Sequence, residues 1–311
     1  MRRACVVLVL VSACATTAVA SGDPLRDRQW GLDAVATVDR PGDGVTVAVI
    51  DSGVDADQPD LAGRVEPGID LVDGDDVADD GYGHGTHVAG IIAAESDNGI
   101  GMAGIAPGAR ILPVRVLDDE GNGDYRRTAE GIRWAVDHGA QVLNLSVTLA
   151  HDDERVREAV AYAREHNVVM VAAAGNRRCP EHGTNDTVYP AAYPGVLGVG
   201  AAGESGQVAG FSSCGPWVDL VAPGVGIISI TSAQARADEC RGNDGWCLLT
   251  GTSEAVPFVA AAAALRISQL DVYDAQSVMD DIVASATDIA PAGRDDRTGA
   301  GRLDIAALLT R

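Results

Sequence analysis

Lysine is missing from this 311-residue chain. All 23 basic residues are arginine, set against 45 aspartates and glutamates, for a formal net charge of −22. A salt-adapted surface and a GC-rich genome both give this bias, and the richness in alanine and glycine favours the second reading. Either way, the shortage of positive charge excludes nucleic acid and anionic membrane surfaces as partners. Beyond the first residues no apolar run is long enough to cross a bilayer as a helix. No internal repeat or low-complexity linker divides the chain, so one domain is expected. No CxxC pair or histidine cluster accompanies the cysteines, which argues against a zinc site. What is present, 46% hydrophobic residues with 37 glycines, suits a compact α/β enzyme.

The N-terminus reads as an export signal over residues 1–20. Arg2-Arg3 supply a basic start, Ala4 to Val11 an apolar stretch, and Ala18-Val19-Ala20 a small-residue cleavage site. A second cut site competes: Val11-Ser12-Ala13-Cys14 resembles a lipoprotein signal, in which Cys14 would carry a lipid anchor. Simple secretion and anchoring both remain open. Four cysteines, Cys179, Cys214, Cys240 and Cys247, fall in the mature chain at 21–311. An even number in an oxidising compartment predicts two disulfides. Of three connectivities, the short spacing favours Cys240–Cys247, which leaves Cys179–Cys214.

Strand-like runs at Val45–Ile50, Ile111–Leu117, Gln141–Val147, Val168–Ala173, Val196–Val199 and Val218–Ala222 alternate with helical patterns. Arg126–His138 reads as a helix closed by Gly139, and Glu154–His166 as one stopped by Asn167; later helices follow Gly251 and span Asp274 to Ala286. The expected fold is a three-layer α/β domain, a mostly parallel sheet with helices on both faces. Ligands in such sheets sit beyond the strand carboxyl ends, where Asp51 and Asn176 fall.

Chemistry concentrates in four segments. Val47-Ala48-Val49-Ile50-Asp51-Ser52-Gly53-Val54-Asp55 ends a buried strand on an aspartate. Gly83-His84-Gly85-Thr86-His87-Val88-Ala89-Gly90 puts a histidine at a helix start. Ala172-Ala173-Ala174-Gly175-Asn176 ends another strand near an asparagine. Gly251-Thr252-Ser253-Glu254-Ala255-Val256-Pro257-Phe258-Val259 opens an alanine-rich helix with a serine in its first turn. Backbone N–H groups at a helix start favour charge developing on oxygen. Taken singly, each residue has an ordinary reading: a turn cap for Asp51, a satisfied polar group for His84, a turn residue for Asn176, an N-cap for Ser253. Their order and conjunction reverse this.

From about residue 29 onward the chain resembles the subtilisin-like serine proteases. The resemblance implies a peptide or protein substrate, cut through an Asp51–His84–Ser253 triad with Asn176 as an oxyanion donor. It needs no cofactor for the chemistry. His87, on the same helix, is expected to be structural. The resemblance also implies a cleft formed by Ser146, Thr148, Ala174, Gly175 and Val188. Thr148 stands where the family usually has glycine, and Val188 replaces a small residue, so a narrowed, apolar subsite is expected. Two further departures are Glu254, where methionine is usual, and Phe258, where histidine is usual; the first brings charge to the reaction and the second changes only packing. The Glu254 carboxylate is expected beside His84 and the developing oxyanion, with outward helix capping as the alternative. Asp97-Asn98-Gly99-Ile100-Gly101-Met102 resembles the family's calcium loop, giving Asp60, Asn98, Ile100 and Met102 as ligands, against the reading of an ordinary Asn-Gly turn. The acidic stretch Asp70, Asp73, Asp75, Asp76, Asp79, Asp80 is expected to be a solvated loop, with a second ion site as the alternative. Only residues 21–28 separate the signal from Gln29-Trp30-Gly31-Leu32, where the resemblance begins, which leaves little room for a folding pro-domain. The rival readings are a catalytically silent binding protein and a protease dedicated to one protein substrate.

Overall fold

The structure is a computed structural model that describes residues 22–36, 41–238, 240 and 245–311; the export signal and Cys14 lie outside the described residues. In chain order the elements are α1 (Trp30–Ala34), β1 (Thr46–Asp51), β2 (Ile69–Asp70), α2 (His84–Ala93), β3 (Arg110–Arg115), α3 (Tyr125–Asp137) and β4 (Val142–Leu145). They continue with α4 (Glu154–Glu165), β5 (Val169–Ala173), β6 (Leu197–Ala202), β7 (Leu220–Pro223), β8 (Ile227–Ile230), β9 (Trp246–Leu249), α5 (Thr252–Ser268), α6 (Ala275–Ser285) and α7 (Ile305–Leu308).

Seven strands form one sheet in the order β2-β3-β1-β4-β5-β6-β7, and every pairing in it is parallel. β1 lies inside it, with Val47 opposite Ile111 on one side and Val142 on the other. Val47 to Ile50 are apolar without alternation because both faces are covered. Successive side chains still take opposite faces. Val47 and Val49 enter a core built with α2, α5 and α6, while Ala48 and Ile50 enter a second core with α3 and α4. The expected three-layer α/β architecture is therefore present.

Local chemistry sets the helix ends. Asp124, Asp153 and Asp274 cap α3, α4 and α6 by accepting backbone N–H groups of their first turns. Past α4, Asn167 takes a left-handed φ of 61° that no helix tolerates. The antiparallel β8–β9 hairpin was not foreseen; its strands have only four residues each and lie outside the parallel sheet. Both expected disulfides are present, Cys179–Cys214 and Cys240–Cys247, with Cα–Cα distances of 5.1 and 4.9 Å.

α5 runs through the middle of the first core, and from Thr252 to Ile267 only Ser253 escapes full burial. An apolar surface all round is what a fully enclosed helix requires. Its run of alanines at 260–264 lets the sheet approach closely. Phe258 fills the space beside Gly31: a Cβ there would lie 2.6 Å from the Phe258 ring. The residue is a packing feature, as expected.

Candidate active site

The site is assembled at the carboxyl end of the sheet. Asp51 is the last residue of β1, Ser146 follows β4 directly, and Asn176 lies just past β5. His84 opens α2 and Ser253 is the second residue of α5. The backbone explains the glycines around His84. Gly83 precedes α2 with φ +101°, a conformation glycine adopts without strain, and a Cβ on Gly85 would clash with the Gly53 carbonyl oxygen. The two segments thus meet backbone to backbone, and the Asp51 and His84 side chains meet above them.

His84 Nδ1 lies 2.7 Å from Asp51 Oδ1, which also accepts the Ser52 N–H at 2.8 Å. The other ring nitrogen, Nε2, faces Glu254 Oε1 at 3.3 Å. Both carboxylates are almost wholly enclosed, the side chains being 0% and 4% exposed. Burial alone would lower the His84 pKa. The Asp51 carboxylate, and then Glu254, outweigh that effect and hold it well above the ordinary imidazole value. Burial works against ionisation of Glu254 as well, but its bond to His84 holds its pKa below the usual carboxylate range. Glu254 therefore turns inward, as one of the two sequence expectations has it. His87 is buried and donates from Nε2 to the Ile227 carbonyl at 3.1 Å; burial pushes its pKa down to about 4, which keeps the ring neutral.

The Ser253 hydroxyl donates to the Ser146 carbonyl at 3.1 Å, and the Ser146 hydroxyl donates back to the Ser253 carbonyl at 2.8 Å. Pro257 makes the second bond available. It stands four residues after Ser253 and has no N–H, so the carbonyl loses its intrahelical partner and takes the Ser146 hydroxyl. Asn176 is fixed from the acceptor end of its amide. Its Oδ1 receives both the N–H and the hydroxyl of Thr252, each at 2.9 Å, which leaves Nδ2 free to donate. A Cβ placed on Gly251 would lie 3.1 Å from that Nδ2 and 2.7 Å from Glu254 Oε2. The amide and the carboxylate therefore border one small space in front of Ser253.

A cavity of about 260 Å³ adjoins His84 and is lined in part by Ser146, Thr148 and Leu149 on one side and by Tyr82, Leu117 and Gly121 on the other. Thr148 is exposed at its wall. Val188 is buried instead, with Cγ2 3.2 Å from where a Cβ on Gly175 would sit, so it packs under the Ala174-Gly175 segment and does not line this cavity. Tyr82, Leu117 and Gly121 were not picked out as site residues from the sequence, where Tyr82 and Gly121 lie in loops and Leu117 ends a strand-like run without a motif. Asp80 is the most consequential omission. Its Oδ1 accepts the Ser52 hydroxyl and the N–H of Gly83, and its Oδ2 accepts the N–H and hydroxyl of Thr86. The expectation of a solvated acidic loop thus fails at two positions. Asp80 is a buried strut, and Asp70 is buried in an ion pair with Arg115.

The loop at 97–102 folds over Asp60. Asp60 Oδ1 accepts Asn98 Nδ2 and Oδ2 accepts the Met102 N–H, both at 2.8 Å. Asp23 accepts backbone N–H groups of residues 97–99 from the other side. Burial pushes the Asp60 pKa up to about 6; the bonds from Met102 and Asn98 oppose this, and the charges of Asp23 and Glu95 add to it. Carboxylate and amide oxygens are the kind of donor calcium takes, but here both Asp60 oxygens and Asn98 Oδ1 accept N–H groups of the loop itself. Among the described residues no group of three His, Cys, Asp or Glu side chains is placed to hold a metal by itself, so most ligands would be backbone and amide oxygens.

A family model described as the subtilase family matches residues 42–301. Thermitase from Thermoactinomyces vulgaris is 41% identical over 228 residues, covering 73% of this chain and 76% of its own length. A thermophilic serine proteinase from Bacillus sp. (strain AK1) is 45% identical over 226 residues, 73% of this chain and 53% of that protein. Among solved structures, fervidolysin from Fervidobacterium pennivorans aligns with a TM-score of 0.82 at 35% identity, over 95% of this chain and 47% of that one. A protease from Pseudoalteromonas arctica PAMC 21717 aligns with the same TM-score at 28% identity, over 93% and 98%. The fold and the site define a subtilisin-like α/β protein, and the chain belongs to the subtilase family. It spans about half the length of some of these relatives, 53% of the Bacillus proteinase and 45% of fervidolysin.

Proposed function

We propose that the chain is an exported serine endopeptidase that hydrolyses peptide bonds through Asp51, His84 and Ser253. The observation that carries this reading is the 2.7 Å contact of Asp51 with His84 Nδ1, made where Ser253 and Asn176 Nδ2 face the same space. Asp51 fixes the ring so that Nε2 faces the reaction, and it stabilises the imidazolium that forms. His84 removes the Ser253 proton as the hydroxyl oxygen attacks the scissile carbonyl carbon. The negative charge gathers on the carbonyl oxygen, where Asn176 Nδ2 and the Ser253 N–H donate to it. On collapse His84 gives its proton to the departing amine, which leaves an acyl-Ser253 ester. Water then repeats the sequence with the ester as substrate. No cofactor takes part.

The exposed Thr148 on the cleft wall supports a narrowed subsite, and with it a dedicated protein substrate in preference to broad scavenging. A silent binding protein is disfavoured because no triad member is lost. Two disulfides and the basic-apolar N-terminus support export, with cleavage after Ala20 or before Cys14; intact mass of the mature protein, with or without acyl groups at Cys14, separates the two. Asp60, Asn98, Ile100 and Met102 would hold calcium, whose role would be to tie the 97–102 loop to the domain. The test of the central reading is pre-steady-state hydrolysis of an activated peptide ester. A burst equal to the enzyme concentration is expected in the wild type, with none in Ser253→Ala.

A further inference from the structure

The established resemblance does not explain Glu254, and its geometry carries more than a local charge effect. A base that is to activate Ser253 must offer Nε2 to the hydroxyl. Here Nε2 faces the Glu254 carboxylate at 3.3 Å, while the Ser253 hydroxyl donates elsewhere, to the Ser146 carbonyl. The second carboxylate oxygen, Asn176 Nδ2 and the Ser253 backbone nitrogen all border the point where a Cβ on Gly251 would sit, at 2.7, 3.1 and 3.7 Å, so the carboxylate reaches the side on which Asn176 would donate. One side chain thus faces the base nitrogen directly and approaches the amide that would receive the oxyanion. It is enclosed to 96%, so solvent does little to loosen it.

We propose that Glu254 is a built-in latch: its carboxylate holds the catalytic centre in a latent state, and hydrolysis begins only when the carboxylate is displaced from His84 Nε2. This rests on the reading of Ser253 as nucleophile. Among the described residues the charged and titratable groups facing the carboxylate are few. From α2 come His84 and the neutral His87; from the end of β1 comes Asp51, behind the His84 ring; from α5 itself come the N–H groups of its first turn. The latch is therefore an ion pair whose cation is the catalytic base. It holds while His84 is protonated and weakens as His84 loses its proton. The proton that strengthens the latch is the one that disables the base, so both effects suppress reaction on the acid side and vanish together on the alkaline side. A substrate opens the latch by competition: its carbonyl oxygen claims Asn176 Nδ2, and the Ser253 hydroxyl takes the carboxylate's place at Nε2.

The test uses the mature protein, a fluorophosphonate probe, and the variants Glu254→Gln and Glu254→Ala. The second-order rate of Ser253 labelling is measured from pH 5 to 9, and the His84 imidazole is titrated by nitrogen-15 NMR. The expected result is labelling of both variants about tenfold faster or more at pH 6, the gap closing toward pH 9, with the His84 pKa lowered by about a unit or more in the variants. Equal rates at every pH with an unchanged His84 pKa would overturn the latch while leaving Ser253 as nucleophile. Folded protein that labels in no form would overturn the nucleophile reading itself, and the latch with it. Should the variants fail to fold, the wild-type titration still decides: a His84 pKa at or below the ordinary imidazole value of about 6.5 contradicts the latch.

Discussion

The Asp80 carboxylate accepts the Ser52 hydroxyl at 2.8 Å, which ties the residue after Asp51 to the turn that starts the His84 helix. The Ser52 hydroxyl in turn accepts the Gly85 N–H at 2.9 Å, so the two strand-end and helix-start segments are joined through one buried pair. Removing Asp80 leaves enclosed N–H and hydroxyl groups without acceptors. Each such group costs about 1–3 kcal/mol. Asp80→Ala is expected to lose about 3 kcal/mol of stability or more in urea unfolding, and to lower kcat as His84 loses its fixed position. A midpoint equal to that of the wild type would mean water replaces the carboxylate without loss.

Asn176 acts on charge that exists only in the transition state. Its Oδ1 is held by Thr252 and its Nδ2 is left free, so Asn176→Ala should lower kcat by roughly 10²–10³ and leave KM little changed. Steady-state kinetics on a peptide substrate decide this. Near wild-type kcat would remove Asn176 from the oxyanion role.

Thr148 gives a prediction about selectivity. It is exposed at the wall of the cavity beside His84, so Thr148→Gly should open the cleft. Substrates with bulky side chains should gain several-fold in kcat/KM, and small ones should change little. An equal change for both classes would mean the wall at 148 does not select.

Calcium binding is tested by thermal unfolding. Anything bound to the folded chain alone stabilises it by mass action. Chelation should lower Tm by several degrees, and Asp60→Ala should show the lower Tm with or without calcium. A wild-type Tm indifferent to calcium would return the 97–102 loop to an ordinary turn.

The parts legible in the sequence were those with strong local signals. Continuous apolar runs marked five of the six foreseen strands to within two residues at each end, because parallel strands are buried on both faces and tolerate no polar alternation. Leu197–Ala202 ran three residues beyond the foreseen Val199, since glycine and alanine carry little strand signal. The four motifs named the residues that meet at the site. What the sequence hid was long-range. Asp80 reads like its exposed neighbours Asp75, Asp76 and Asp79, and only the approach of Ser52 and Thr86 makes it structural. The bond from the Ser146 hydroxyl to the Ser253 carbonyl likewise depends on Pro257 removing an N–H from a helix whose neighbour is 107 residues away in the chain. Glu254 was expected near His84 from its place after Ser253, but its hold on Nε2 needed the geometry.

The central claim is that Ser253 is the covalent nucleophile, and the most direct measurement is peptide mapping of the mature protein after reaction with a fluorophosphonate at pH 8–9. One adduct per chain is expected, on Ser253, absent from Ser253→Ala and greatly slowed in His84→Ala. An adduct on another serine, or labelling that persists undiminished in Ser253→Ala, would contradict the assignment of the triad.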